Sequence, residues 1–441
     1  MNWKWIIAAL VILAISFLIQ SDLLAYAMYT LLTVIVVSRF LTNRWVNALQ
    51  AERTCSSLVA NIDDHIGVSL DLVNTGALPI PWVLLEDALP ERALMHDPPS
   101  LDVQDSRIKL TMLKPNQTKR LQYSFICKRR GYYQLGPTIL ETGDLFGLHR
   151  RYQIAAEPQF LTVYPRIVPL DGYDLASRRP IGEIKMTHRL FEDPTRIAGV
   201  RAYQDGDPMN RIHWRATART GQLHSKIYEA SSVAGVTIMM EFRREAYRQD
   251  GEPFRSELAV TAATSIANAV HVMGQQIGFI TNGRDAADRI RIEGWDGKQV
   301  ALETREAAQT AAEINEKNDQ LQPVQIPTRR DSEQFHRIRE TLARVELADG
   351  LSFAQLVIEA QSRIPRDATV LAIIPGDNDQ TTIALQNMAR RGFAVSAMVN
   401  AFDSLDYARI SGPLISAGIE TYHLKDEQAI VHVCRKQAVR L

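Results

Sequence analysis

Arg211, Arg215 and Arg219 recur every four residues, the spacing that stacks side chains on one face of a helix. They belong to a stretch from Gly199 to Gly221 that also holds Arg201, Tyr203, the turn-forming Asp205-Gly206-Asp207-Pro208, and Trp214. A guanidinium presents a planar fork to a carboxylate or phosphate, so such a row would suit an anion or an acidic partner. The same residues could equally hold the chain together. Asp205, Asp207 and Glu183 would close an ion-pair network around the arginines, with Trp214 anchoring the segment by packing on a neighbouring domain. Both readings stand on the sequence. Other chemistry is sparse. His188, His213 and His224 lie 25 and 11 residues apart and form no metal-ligand pair, and His213 beside Trp214 reads as packed or hydrogen-bonded. No Gly-x-Ser-x-Gly, Gly-x-x-x-x-Gly-Lys or His-Glu-x-x-His occurs. Cys55, Cys127 and Cys434 are scattered, which argues against a disulfide framework or a thiolate zinc site and for a reducing compartment. No enzyme activity, cofactor or metal is therefore expected.

The elements that must position this stretch lie on either side of it. From 50 to 165 the chain runs in short alternating segments such as Val68–Val73 and Leu121–Ile126, punctuated by turn residues; period two predicts strands with one buried face, an all-β sandwich-like domain. From 231 to 441 continuous apolar runs alternate with helical patterns, predicting a doubly wound α/β domain covered on both faces. Its strands are expected at 235–242, 276–281, 368–375, 393–399, 420–423 and 429–433, with helices at 256–273, 382–391 and 407–417. Residues 303–362 read as an insertion, with helices at 303–317, 332–345 and 353–362 and a polar linker at 318–330. In such folds ligands collect at the carboxyl ends of the strands. The segment 166–230 joins the two domains.

At the front, residues 6–19 and 23–37 are two apolar runs separated by Gln20-Ser21-Asp22, the pattern of a two-helix transmembrane hairpin over 1–45. Trp3, Trp5 and Trp45 stand where interfacial aromatics belong. Lys4, Arg39 and Arg44 at the outer ends, against Asp22 in the turn, predict that both ends face the cytoplasm. The expected location is the cell inner membrane, multi-pass, with the soluble domains on the cytoplasmic side. Fifty basic and fifty acidic residues cancel, and 178–226 carries only ten Lys/Arg against five Asp/Glu, so no nucleic-acid role is expected.

The 199–221 stretch resembles a bacterial membrane-anchored family called domain of unknown function 58. So do Lys128-Arg129-Arg130-Gly131-Tyr132-Tyr133-Gln134-Leu135-Gly136-Pro137, Asp144-Leu145-Phe146-Gly147-Leu148 and Val163-Tyr164-Pro165. The resemblance implies a paired N-terminal membrane helix, a β-rich segment and a C-terminal domain similar to von Willebrand factor A. It also implies a partner, because members are often encoded beside MoxR-type AAA+ ATPases. A von Willebrand A domain that holds a divalent ion does so through Asp-x-Ser-x-Ser after its first strand. Here Glu241, Arg243 and Glu245 occupy that place, and a guanidinium repels a cation, so the site is degenerate; Arg243 would instead give the crevice a fixed positive charge. Asp377 and Asp379 could add oxygens but read more simply as a capped turn. These residues describe a membrane-anchored, non-enzymatic interaction or assembly factor, working with a MoxR-type AAA+ ATPase in complex assembly or envelope maintenance. The alternative is an envelope-associated hydrolase or transferase with an exported soluble domain.

Overall fold

The computed structural model describes residues 11, 22–95, 98–147, 149–170, 192–204, 212–230, 235–288, 322–365, 368–376 and 379–432. Two compact units divide the chain. The first comprises Met1–Arg166, Gly283–Leu321 and Arg339–Ala348, and the second Ile167–Asn282, Gln322–Ile338 and Asp349–Leu441. Residues 283–288 and 339–348 thus group with the first unit, although the sequence pattern set them in the second.

The first unit opens with helix α1, Asp22–Ala48. With no Gly or Pro in it, α1 runs unbroken for 27 residues, about 40 Å at 1.5 Å per residue. By length and composition Ala25–Ala48 could cross a membrane. The expected partner helix, 6–19, lies outside the described residues apart from Val11. The two halves of α1 differ. Leu23, Tyr26, Val36 and Val37 are exposed, whereas Ser38, Thr42, Trp45 and Val46 are buried. Trp45 is therefore no interfacial anchor: the helix continues three residues past it, and its ring joins the core of the β-domain.

That core is built by two four-stranded antiparallel sheets. One has the order β1 (Leu49–Cys55), β3 (His65–Asn74), β7 (Thr118–Cys127), β5 (Leu101–Val103), and the other β10 (Arg150–Ala156), β9 (Thr138–Gly143), β4 (Ile80–Asp87), β6 (Ile108–Leu113). Strands β2 (Val59–Asn61), β11 (Gln159–Tyr164) and β8 (Gly131–Leu135) form a third sheet. Alternation puts Val68, Leu70 and Leu72 of β3 and Tyr123 and Phe125 of β7 inside, where they meet Val83 and Leu85 of β4. Within this apolar interior sits an ion pair, Arg53–Asp87, with side chains 1% and 0% exposed. It is fully satisfied: Asp87 also accepts from Tyr123 Oη at 2.7 Å and Thr138 Oγ1 at 3.0 Å, and Arg53 Nη1 donates to the carbonyls of Leu135 and Glu157. Burial and the Asp87 charge push the Tyr123 hydroxyl far above its ordinary pKa. Gly136, at φ +87°, has no room for a Cβ, which would overlap the Arg53 guanidinium. Arg130 is likewise buried, its Nη1 donating to the carbonyls of Leu342 (2.7 Å) and Val345 (3.0 Å) at the end of the helix Gln334–Arg344.

The second unit holds a six-stranded sheet. Its strands, in chain order, are β14 (Gly235–Met240), β15 (Gln276–Thr281), β17 (Val324–Arg329), β19 (Ala368–Ile374), β20 (Ala394–Val399) and β21 (Glu420–His423), arranged β17-β15-β14-β19-β20-β21. All pair in parallel except β17, which is antiparallel at the edge. Every residue of β14 is buried, as a central strand covered on both faces requires. Helix α4 (Phe254–Val272) packs on β14 and β15. The helices α6 (Phe353–Ala360), α7 (Asp379–Arg390) and α8 (Ser404–Ser416) share a core with Met239, Ile374 and Val399.

Two expectations fail here. Residues 318–330 are not simply a linker, because Val324–Arg329 forms β17; Pro327 is tolerated since an edge strand need not donate to a further neighbour. The strand expected at 429–433 is not formed by its described residues, 429–432: Asp426 Oδ1 accepts from the Ala429 amide at 2.9 Å and caps helix α9 (Glu427–His432). Helix 303–317 lies outside the described residues.

Candidate functional site

In its own strand numbering the sheet reads 3-2-1-4-5-6, so the order reverses between β14 and β19. A crevice opens at this reversal beyond the carboxyl ends of parallel strands, where ligands bind in such sheets. Three strands end at one level: the Glu241 amide donates to Ile373 O at 3.0 Å, and the Asn400 amide to Ile374 O at 2.8 Å. Beyond them lies a cavity of about 830 Å³ lined by Glu241, Arg243, Arg248, Arg255, Phe402 and Arg409 among others.

Its electrostatics are one-sided. Each arginine is compensated. Arg243 pairs with Glu245, Arg248 with Asp250 at 3.0 Å and Asp406 at 3.8 Å, and Arg409 with Asp406 at 3.3 Å. Arg255 is buried, its Nη1 donating to Asn400 Oδ1 and to the carbonyls of Leu424 and Lys425, while its guanidinium lies 5.6 Å from the Phe254 ring and 5.0 Å from that of Phe402. Both phenylalanines are exposed. Glu241 differs from all of these. It is only 6% exposed, and among the described residues its carboxylate has no hydrogen bond or ion pair. Burial pushes its pKa up to about 7, against the weaker downward pull of Arg243. The backbone here is held firmly: Tyr247 Oη donates to Glu241 O at 2.9 Å, and the Phe242 amide to Asn282 Oδ1 at 2.6 Å.

The crevice gathers Glu241, Arg243 and Glu245, the degenerate trio of the sequence. Arg243 and Glu245 bond each other across the place where metal ligands would stand. Among the described residues no group of three or more His, Cys, Asp or Glu side chains could hold a metal ion. Asp379 begins α7, and Asp377 lies outside the described residues. Phe254, Arg255, Asn400, Phe402 and Arg409 escaped sequence reasoning. The available signal was positional, since Asn400–Phe402 follows directly on the apolar run of β20.

The arginine-rich stretch forms something else. Strands β12 (Glu192–Ala202) and β13 (His224–Ala230) pair as an antiparallel ribbon, and between them helix α3 spans Trp214–Thr220. His213 caps α3, its Nδ1 accepting from the Ala216 amide at 3.0 Å, and Gly221 at φ +70° ends it. Trp214 is 67% exposed, so it does not anchor the segment by packing. Arg215 and Arg219 are exposed on one face of α3 without an ion pair among the described residues. Arg201 lies in β12 and donates to Ala202 O, and the Tyr203 amide donates to Leu223 O. Gly206, Asp207 and Arg211, with Asp205 and Glu183, lie outside the described residues.

Residues 199–343 match the family described as protein of unknown function DUF58. The chain is also similar to an uncharacterized protein, YeaD, of Bacillus subtilis (strain 168), 23% identical over 298 residues that cover 64% of this chain and 71% of that one. Solved structures resemble limited parts. The CARDB domain of PF1109 from Pyrococcus furiosus matches 26% of this chain and 94% of its own at 13% identity and a TM-score of 0.18. The native alpha-2-macroglobulin of Escherichia coli, from domain MG7 to the C-terminus, matches 29% and 19% at 12% identity and a TM-score of 0.22.

Proposed function

We propose that the protein is a membrane-anchored, non-enzymatic interaction factor whose α/β unit, similar to von Willebrand factor A in design, offers its crevice to a protein partner without a metal ion. The observation that carries this is Glu241, a buried carboxyl with no hydrogen bond or ion pair among the described residues, in a cavity whose arginines are each engaged by other groups. The group that completes such a site is a cation, so the partner brings a lysine or arginine, and Phe254 and Phe402 flank its entry. A MoxR-type AAA+ ATPase is the partner we put first, on the resemblance carried by the 199–221 stretch. The apolar α1, with Arg39 and Arg44 beyond its exposed run, supports anchoring in an inner membrane with the soluble units on the cytoplasmic side.

The experiment is capture of a purified MoxR-type ATPase by the detergent-solubilised full chain. Capture is expected, and Glu241→Gln, which removes the charge that the partner's cation would meet, should weaken it at pH 8 without lowering the melting temperature. Loss with Arg215→Glu alone would move the interface to α3, and no capture at all would refute this partner. A second reading rests on the same carboxyl. A glutamic acid held protonated up to about pH 7 is what a general acid requires, and an envelope-associated hydrolase would use it so. Hydrolysis of isolated envelope polysaccharide that disappears in Glu241→Gln would establish that reading instead.

A further inference from the structure

The β9–β10 hairpin ends in the tip Asp144-Leu145-Phe146-Gly147, part of a motif that the crevice does not use. Leu145 and Phe146 are 74% and 72% exposed, adjacent large apolar side chains that follow directly on β9, every residue of which is buried. Their position is fixed by their neighbours. Asp144 Oδ2 accepts from Ser38 Oγ of α1 at 2.7 Å, a buried bond, while Asp144 Oδ1 takes the His149 amide at 2.9 Å. Trp82 Nε1 donates to Asp144 O at 3.3 Å, and the His149 ring lies against the backbone at Ile35. The tip therefore stands beside residues 35–38 of α1. Trp45, where α1 enters the sandwich core, is seven residues and about 10 Å further along the helix. Across residues 35–38 one face of α1, Ile35 and Ser38, is buried, while Val36 and Val37 are exposed.

We propose that Leu145 and Phe146 form a second membrane contact, inserting into the boundary between headgroups and acyl chains alongside α1. This rests on the reading that α1 lies in a bilayer, and it commits the tip to lipid for two reasons. The tip is fastened through Asp144 to Ser38 of α1, next in sequence to Val36 and Val37, which are themselves exposed. Arg39 and Arg44, exposed just beyond, lie where lipid phosphates would meet them. The contact also makes good a short span: residues 23–37 cover only about 22 Å of a hydrocarbon core that is ~30 Å thick, and two apolar side chains at its edge extend the buried surface.

The full chain, reconstituted into phosphatidylcholine–phosphatidylglycerol vesicles doped with a phosphatidylcholine bearing a diazirine on its acyl chain, is irradiated and its peptides mapped by mass spectrometry. Adducts are expected on peptides from 23–37 and from 144–147. In Leu145→Asp with Phe146→Asp, a change at an exposed tip, the 144–147 adducts should vanish and those on 23–37 remain. Labelled 23–37 with unlabelled 144–147 overturns the proposal and leaves the anchoring intact. Adducts at 144–147 that survive the double substitution overturn it too. Absence of label from both regions overturns the anchoring reading itself.

Discussion

Replacing Glu241 by Gln removes one titration and almost nothing else, because a neutral glutamic acid and a glutamine have nearly the same shape. In the native chain the Glu241 carboxyl titrates at about 7, and its ordinary value is 4.5. The sign follows from proton counts. Between these values the folded chain holds the proton and the unfolded chain has released it, so native stability falls as pH rises through the window. Below 4.5 both states are protonated, and above about 7 both are ionised, so the loss is confined to the interval. A difference of about 2.5 units at 1.36 kcal/mol each costs about 3 kcal/mol, and with Glu241 almost wholly buried no allowance for solvent is needed. At 2–4 °C per kcal/mol for a unit of this size, Glu241→Gln should melt roughly 6–12 °C above the parent at pH 8 and together with it near pH 4.5. The assay is differential scanning fluorimetry of both proteins in one detergent across pH 4.5–8.5. A melting difference that stays constant with pH would refute the argument, for it would mean that Glu241 titrates alike in the folded and unfolded chain.

The sandwich supplies two further tests. Asp87→Ala strands the Arg53 guanidinium in an apolar interior and should cost about 3–5 kcal/mol in chemical denaturation, as breaking a buried pair does. Trp45→Ala should cost about 3–5 kcal/mol if the ring belongs to the core, against no more than about 0.5 kcal/mol for an exposed side chain. The same denaturation curves decide between these.

Much of the α/β unit was legible because its central strands are continuous apolar runs: β14, β15 and β19 need no partner to be read. Val324–Arg329 was not, since Pro323 and Pro327 signal a break and only the sheet reveals that an edge is available. Ala429–Val433 was misread because five residues, mostly apolar, carry no period, and Asp426 as a cap was the missing clue. At the site, Glu241 and Arg243 stood out by following a strand, whereas Phe254 and Arg255 open the helix after it, and Phe402 and Arg409 come from the far side of the sheet. Phe402 and Arg409 reach the crevice only because β19 lies beside β14 and β20 beside β19, an order that no local pattern encodes. Trp45 was misplaced for a related reason. An aromatic residue after an apolar run fits an interface rule, but the rule presumes that the helix ends there.

The unbroken course of α1 has a mechanical meaning. A helix that passes without a hinge from its exposed apolar run into the sandwich core is a lever rather than a tether. With α1 in a bilayer, the sandwich cannot swing freely above the surface as it would on a glycine-rich linker. A change in bilayer thickness that tilts the helix would turn the β-domain through the same angle, so the lipid environment would set the attitude of the first unit.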